Sequence, residues 1–457
     1  MASPLFVLGH VNPCYNAAVN TSRESAGLVR SIGRWSLAAL MVNSIIGSGI
    51  FGLPSIIARQ LGPAAPLAWL LAAVFSGIIM GCFAEVASRF TEAGGPYLYS
   101  RVTFGRFVGI LMGWLAWLVR IAAAAASANL FVVYLKEFWG VAGNFLPRLL
   151  ILSLLIGLLA AINVRGVRAG TQLSNVVTVA KLTPLAVFIV VGGAYLITRH
   201  QHMVVGWVHT STQSWLDAML LMVFGYGGFE GALMPLGEAK DPRRDAPFAL
   251  FTALITCTAV YTTIQIVVMG VLPNAALTDR PLATAARVFM GPAGAVLLTL
   301  GTLLSGYGYL ASMMLNVPRL TYALAERDDF PTIFRAVHHR FRTPYISIMV
   351  FAALIWLLAL WGNFEWNATL SAIARLFYFA VVCAALPVLR RREARIAGKA
   401  DFGAAVFRLP LGIPLSFVGV VTCALLVGGI RRGSFAILLG VLAVAFMNWL
   451  WATRRQR

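Results

Sequence analysis

Charged side chains are scarce in this sequence. Of its 457 residues, 11% are Asp, Glu, Lys or Arg and 60% are hydrophobic, whereas about a quarter of the residues are charged in soluble domains. Stretches without any charge cover residues 35–58, 246–278, 288–318 and 433–453. Each of them could cross a membrane as a helix, which takes about 20 residues. The composition excludes a soluble globular protein and predicts a polytopic membrane protein.

Cysteine and histidine are also few and scattered. The five cysteines show no CxxC or paired spacing, and four of them lie in apolar stretches, as small core residues do. None of the six histidines lies deep in an apolar stretch, and no HExxH spacing occurs. No combination of Ser, His and an acid is placed for acyl transfer. The sequence therefore predicts no metal site, no cofactor and no enzymatic activity, with a membrane-embedded enzyme as the alternative from a different class.

Acidic residues are outnumbered by basic ones, 16 against 36, which gives a net charge of +20. In a soluble protein this excess would suggest a nucleic-acid partner. With the amino terminus inside, however, 24 of the 36 basic residues lie in inner segments, eight in outer loops and four inside apolar spans. This bias follows the positive-inside rule. We expect two cytoplasmic termini, contact with the lipid bilayer and no nucleic-acid partner.

Twelve apolar stretches are predicted to be transmembrane helices, which makes the fold class an all-α integral membrane protein. In chain order they are Ser36–Ala58, Ala64–Arg89, Phe107–Tyr134, Leu149–Asn163, Gln172–Ile197, Trp215–Leu236, Ala246–Leu272, Ala293–Ala325, Tyr345–Trp361, Ala368–Leu389, Gly412–Ile430 and Phe435–Trp451. Residues 1–35 are predicted to form a cytoplasmic tail without a signal peptide.

Glycine clusters interrupt two of these spans near their middles. The first span contains Gly47-Ser48-Gly49, and the sixth contains Gly225, Gly227 and Gly228, with Gly225 178 residues after Gly47. The second cluster lies five spans after the first, an odd number, so the two helices run in opposite directions, as in an inverted-repeat transporter. We expect a five-plus-five core with repeats over 36–200 and 201–400. Residues 401–457 would add two peripheral helices and a short tail.

The two interruptions predict a polar cavity, because unwound backbone within a membrane is tolerated only where it lines one. A half-helix that begins near Ser48 presents free N–H groups, which suit a carboxylate. Carbonyl groups left free near Ile45 and Phe224 suit an ammonium group. Together they match an α-amino acid zwitterion. The alternative is that the glycines only allow close helix packing.

Three sequence segments resemble the amino acid–polyamine–organocation superfamily of permeases. They are Ile46-Gly47-Ser48-Gly49-Ile50-Phe51, the stretch from Glu85 to Gly94-Gly95-Pro96-Tyr97, and the stretch from Gly228-Phe229-Glu230 to Arg244, and the stretch from Arg319 to Leu324 also carries the resemblance. The resemblance implies a LeuT-like five-plus-five core with discontinuous helices 1 and 6, and transport of amino acids by alternating access.

The resemblance also implies residue roles. Ser48 and Gly49 would donate to the substrate carboxylate, and the carbonyls of Ile45, Phe224 and Gly227 would accept from its ammonium group. Phe224 and Phe229 would be gating aromatics. The complete predicted substrate site is Ile45, Gly47, Ser48, Gly49, Phe224, Gly227 and Gly228.

Two ionisable residues inside spans are candidates for ion or proton coupling, because such residues are costly within a bilayer. Lys181 lies on the fifth span, where sodium-independent members of the superfamily hold a lysine in place of sodium. A desolvated lysine can exchange a proton, although a lysine reaching the inner interface is the alternative. Glu230 resembles a family glutamate implicated in gating or proton sensing, and a structural role is its alternative.

Arg120 and Arg375 also fall inside spans, and two interpretations stay open for Arg120. It either pairs with Glu230 or faces the substrate, where it would favour an anionic ligand. A neutral L-amino acid is the expected substrate, since Glu230 is the one evident acidic partner for a cationic side chain. Polyamines and cationic or acidic amino acids are alternatives. We expect a sodium-independent plasma-membrane carrier, as in a bacterial inner membrane, coupled to protons or exchanging.

Overall fold

A computed structural model describes residues 31–92, 94–166, 171–199, 210–396, 405–428 and 432–454. Most of the predicted cytoplasmic tail, and the predicted repeat boundaries at 200/201 and 400/401, lie outside these ranges. The described residues form α-helices joined by loops and short 3-10 turns. One isolated parallel bridge pairs Ile32 with Ala239.

Fifteen α-helices, numbered here in chain order, are present in the described residues. They are α1 Arg34–Ile45, α2 Gly49–Leu61, α3 Ala65–Ala87, α4 Gly95–Phe104, α5 Arg106–Leu135, α6 Phe145–Arg165, α7 Thr171–Thr198, α8 Thr212–Tyr226, α9 Phe229–Ala232, α10 Pro242–Val271, α11 Pro281–Glu326, α12 Tyr345–Trp361, α13 Phe364–Ile396, α14 Gly412–Gly428 and α15 Arg432–Arg454. A 3-10 turn, Met234–Glu238, continues from α9.

The length and composition of these helices confirm an all-helical membrane protein. Within the described part of the chain, eight helical stretches are long and apolar enough to cross a membrane. Shorter apolar helices at Tyr345–Trp361, Gly412–Gly428 and Leu439–Thr453 accompany them. Many large hydrophobic side chains face outward, including Leu154 and Phe417 at 72% and 69% exposure. An outward apolar surface of this kind is what lipid requires.

Two helical segments are absent from the sequence-based prediction. Helix α4 is short and carries Arg101, and it begins directly after Gly94, whose φ is +148°. Helix α11 begins at Pro281, twelve residues before the predicted start, and bends at Gly291, where φ is +67°. Neither segment has the long uncharged run on which the span predictions rest.

The first and sixth predicted spans are each divided in two, which confirms the predicted discontinuities. Helix α1 ends at Ile45 and α2 begins at Gly49, while α8 ends at Tyr226 and α9 begins at Phe229. Gly228 between α8 and α9 has φ +114°, in the left-handed region that glycine adopts without a steric penalty. Each break therefore falls on the glycine cluster that predicted it.

Ion pairs mark the two ends of the helix bundle. At the end that holds the start of α1, the carboxylate of Glu85 accepts two hydrogen bonds from Arg390, at 2.7 and 2.6 Å. We call this end of the bundle the amino-terminal end. At the opposite end, Arg59 donates to Glu365 at 2.6 Å. Backbone hydrogen bonds from Ile32 N to Glu238 O and from Lys240 N to Ile32 O, 3.0 and 2.9 Å long, join the chain segments at the amino-terminal end.

Candidate functional site

The two helix breaks lie against each other in the middle of the bundle. A Cβ atom added at Gly49 would lie 3.3 Å from the Cα of Gly225, and one added at Gly228 would overlap the carbonyl oxygen of Ser44. At Gly228 only a hydrogen side chain allows this approach of the two backbones, and at Gly49 a side chain would require the neighbouring backbone to shift slightly. The glycines that the sequence singled out are thus brought together by the fold.

Tyr261 on α10 joins the two breaks, and the sequence analysis missed it. Its hydroxyl lies 2.9 Å from the carbonyl oxygen of Ile45 and 3.1 Å from that of Gly225. The side chain is fully buried. Since each carbonyl oxygen has two lone pairs, both retain the capacity to accept a second hydrogen bond. A tyrosine within an uncharged span gave no signal that could have marked it.

Ser48 lies at the break before α2 and is tied to α5. The hydroxyl of Ser127 donates to Ser48 Oγ at 3.0 Å, and the Tyr134 hydroxyl donates to the Phe51 carbonyl at 2.8 Å. The first N–H groups of a helix have no partners within it. Those of α2, which starts at Gly49, face the break and present the positive end of the helix dipole there.

Lys181 on α7 reaches the end of α1. Its Nζ donates to the carbonyl oxygens of Asn43 and Ile46, both at 2.7 Å, and the residue is 7% exposed. The side chain thus lies in the bundle interior and does not extend to the interface. An ammonium group here satisfies backbone oxygens that the helix break leaves without helical partners.

Glu230 forms a buried ion pair with Arg375, at 2.8 Å between Oε1 and Nε. Its second oxygen, Oε2, accepts from the Gly228 N–H at 2.8 Å. Nη1 of the same arginine lies 3.4 and 3.5 Å from the carbonyl oxygens of Val223 and Phe224. The guanidinium is so close to the backbone that a Cβ at Gly227 would overlap it.

Arg120 does not pair with Glu230, so that interpretation of the sequence is wrong. Its guanidinium donates to the Ala116 carbonyl of its own helix at 3.0 Å and lies 3.2 Å from the sulfur of Met234. The carboxylate is taken by Arg375 on α13, which lies nearer the break. Sequence position alone could not distinguish the two arginines, since both lie in mid-span.

The predicted gating aromatics lie in different surroundings. Phe224 contacts Phe364 edge to face, with ring centroids 6.1 Å apart, near the start of α13. Phe229 is 1% exposed and packs between Phe83 and Phe379, at 5.1 and 5.3 Å. Gly47 lies between α1 and α2 with open space around it, since a Cβ there would meet only the Ile45 oxygen at 3.9 Å.

A polar cluster outside the break region lies at the amino-terminal end. The hydroxyl of Tyr97 and the guanidinium of Arg101 bond Asp329, and Arg106 donates to the same carboxylate at 2.8 Å. Burial, followed by the hydrogen bond to Asp329, raises the pKa of Tyr97 to about 12. Among the residues described, no three His, Cys, Asp or Glu side chains lie close enough together to hold a metal ion.

Comparisons with known proteins agree with this geometry. A family model described as amino acid permease matches residues 32–452. The chain is 26% identical over 448 residues to the methylthioribose transporter of Bacillus subtilis, covering 94% of this chain and 93% of the relative. It is 28% identical over 382 residues to the B. subtilis serine/threonine exchanger SteT, covering 81% and 85%. It is 30% identical over 368 residues to an arginine/agmatine antiporter of Chlamydia abortus, covering 75% and 74%.

Proposed function

This chain belongs to the amino acid permease family, and from that membership we propose that it carries L-α-amino acids across a membrane by alternating access without sodium. Members of the family are transporters, so the protein moves amino acids or related solutes and is not an enzyme. The finer proposal includes twelve spans, of which ten form a five-plus-five inverted-repeat core. Helices α1–α2 and α8–α9 occupy corresponding positions in its two halves.

The single observation that carries the proposal is the meeting of two broken helices at Gly49 and Gly225. The substrate carboxylate binds at the α2 N-terminus, to Ser48 and Gly49, with Gly47 and Gly228 giving backbone access. The ammonium group binds carbonyl oxygens of Ile45, Phe224 and Gly227. Tyr261 already donates to the Ile45 oxygen, so that oxygen uses its remaining lone pair.

Lys181 takes the place of a sodium ion in this proposal. An ion that coordinates the end of α1 and the fifth span would need backbone oxygens, and the Lys181 ammonium already occupies those of Asn43 and Ile46. A fixed or exchangeable proton on Lys181 therefore supplies the positive charge. Glu230 remains a second coupling candidate, with proton symport and exchange as the two coupling modes.

The substrate side chain is not cationic in our proposal. Glu230 was the evident acidic partner for such a side chain, and its two oxygens are bound by Arg375 and the Gly228 N–H. A second cation would compete with a buried guanidinium for the same carboxylate. A neutral L-amino acid remains the expected substrate on the grounds argued from the sequence.

The location follows from charge. The basic residues that the sequence assigns to inner segments include three with partners at the amino-terminal end: Arg89 pairs with Glu393, Arg390 bonds Glu85, and Arg392 bonds the Val102 carbonyl. We propose that this end and both termini are cytoplasmic. We further propose the plasma membrane as the site of action.

Counterflow tests the proposal. Purified full-length protein is reconstituted into liposomes preloaded with one unlabelled L-amino acid, and uptake of the labelled amino acid is followed without sodium. We expect preloading to accelerate uptake for at least one amino acid, and a sodium gradient to leave the rate unchanged. Uptake that requires sodium and ignores preloading would overturn the proposal. Protein carrying Gly228→Ala is the control for leakage, because the added methyl group would overlap the Ser44 carbonyl oxygen and disturb the contact between the two breaks.

A further inference from the structure

Arg120 is a cation that has no acidic partner among the residues that the structure describes. It lies halfway along the 30-residue helix α5. Of the sixteen Asp and Glu residues, all but Glu24 and Asp401 belong to the described ranges. None of those described lies within 4.0 Å of its guanidinium nitrogens, which contact the Ala116 carbonyl and Met234 Sδ. A charge in this place is costly without compensation.

The Arg375–Glu230 pair lies beside Arg120 but does not compensate it. Ser371, one turn before Arg375 on α13, donates to the carbonyl of Val119 at 3.0 Å, so α13 contacts α5 next to Arg120. Glu230 is already neutralised by Arg375 and bonded to Gly228. The three charged side chains together therefore carry a net charge of +1.

A tyrosine hydroxyl lies on the same face of α13. Tyr378 follows Arg375 by three residues and Ser371 by seven, so the three side chains share the helix face that contacts α5. Tyr378 is 2% exposed, and its hydroxyl has no hydrogen-bond partner in the described part of the chain. A buried hydroxyl without a partner is rare, because its desolvation is then not offset. Within the described residues, this hydroxyl is therefore a donor without a partner, on the α13 face that contacts the helix carrying Arg120.

From this arrangement we propose that Arg120 and the Tyr378 hydroxyl bind a small anion between α5 and α13. Resting on the proposed amino-acid carrier, the anion is either a free inorganic anion such as chloride, bound together with a neutral substrate, or the side-chain carboxylate of an acidic amino acid, which would then replace the neutral substrate expected above. Ser127, which contacts the break at Ser48, lies two helical turns from Arg120, about 10 Å along the axis. The Arg120 guanidinium donates to the Ala116 carbonyl, one turn further from Ser127, so an acidic substrate at the break reaches it only when the arginine leaves that carbonyl, whereas a free anion binds without this movement.

Ligand-dependent thermal unfolding of the purified full-length protein distinguishes the two sources. The buffer contains methanesulfonate in place of chloride, and the probes are L-glutamate, L-aspartate, their neutral isosteres L-glutamine and L-asparagine, and sodium chloride. A ligand that binds the folded state raises the unfolding midpoint. If the substrate supplies the anion, an acidic amino acid binds at least tenfold more tightly than its isostere. If the anion is free, chloride raises the midpoint by itself and strengthens binding of a neutral amino acid.

Variants assign the effect to Arg120. Arg120→Gln removes the preference for the acidic amino acid or the effect of chloride, whichever the unaltered protein shows. Arg120→Lys keeps the positive charge and retains part of that effect, so it tests the proposal even if the glutamine variant does not fold. Tyr378→Phe weakens the same preference. Arg319→Gln is the matched control, because Arg319 also donates to the carbonyl four residues earlier in its helix, Leu315, but lies outside the cluster.

The outcomes separate the two proposals. If a neutral amino acid binds, and neither acidic amino acids nor chloride shows an effect that depends on Arg120, the anion site is overturned and the carrier function stands. If no amino acid shifts the midpoint, the carrier proposal fails, and the chloride titration alone decides the anion site. A chloride shift that persists in Arg120→Gln overturns it.

Discussion

Lys181 holds the carbonyl oxygen of Ile46 at 2.7 Å, at the point where α1 stops being a helix. The same ammonium group also bonds Asn43, so one side chain on α7 fixes the end of a helix 135 residues away in sequence. A titratable group on α7 thus contributes, together with the Tyr261 hydroxyl, to the position of the first half-helix. Several measurable consequences arise from this and the neighbouring contacts.

Replacing Lys181 by alanine should abolish counterflow. The substitution leaves two buried carbonyl oxygens without donors, at a cost of about 1–3 kcal/mol each, so the unfolding midpoint should also fall. Lys136→Ala is the matched control, because Lys136 is partly exposed and forms only a weak ion pair with Asp279, at 4.0 Å. The Lys136→Ala protein should retain both stability and transport. Normal transport by Lys181→Ala would show that the ammonium group does not replace a coupling ion.

Breaking the Arg375–Glu230 pair should destabilise the protein more than removing it entirely. Either Arg375→Met or Glu230→Leu leaves a buried charge alone, which costs about 3–5 kcal/mol. The double variant should therefore unfold at a higher temperature than either single variant. The exposed pair of Arg59 and Glu365 provides the comparison, since such pairs contribute about 0.2–1 kcal/mol. If the fall in unfolding midpoint of the double variant equals the sum of the falls of the two single variants, the predicted coupling is contradicted.

Gly228→Ala should eliminate transport. A methyl group there meets the Ser44 oxygen, and φ is +114°, a conformation costing a side chain about 1–2 kcal/mol before any clash. Gly157→Ala serves as the control, because nothing lies within 4 Å of its added Cβ. Within helix α6 this alanine should be neutral or slightly stabilising. Counterflow rates and unfolding midpoints of the two variants check both expectations.

Tyr261→Phe should slow counterflow while preserving the fold. The ring remains to fill the core, but the hydroxyl that contacts Ile45 and Gly225 is lost, at a cost of about 0.5–1.5 kcal/mol. Tyr322→Phe removes a hydroxyl that bonds exposed Glu326 and should transport at the normal rate. If both variants behave alike, the link between the two breaks has no part in the transport cycle.

The large features of the fold were predictable because they depend on local composition. Uncharged runs of about 20 residues predicted most spans, and glycine clusters at Gly47–Gly49 and Gly225–Gly228 predicted both breaks, since glycine is unfavourable within a helix. Helix α4 was missed because a ten-residue segment with polar side chains has no such run. Its start depends on Gly94 and Gly95, which have positive φ angles, and a glycine pair in the sequence predicts a loop.

Pairings within the site could not be read from the sequence for a different reason. Arg120 and Arg375 both lie in mid-span, and the partner of Glu230 depends on how α5 and α13 are rotated about their axes. The structure shows Arg375 in that place. Tyr261 was hidden because its role depends on two backbone oxygens, which every residue has. Lys181 was found because a lysine in an apolar helix is itself unusual.

The bridge at Ile32 makes only a small contribution to holding the chain segments together at the amino-terminal end. Its two backbone hydrogen bonds are worth about 0.5–1.5 kcal/mol each, or roughly 1–3 kcal/mol in total. If this end opens during the proposed transport cycle, separating the bridge itself costs no more than that.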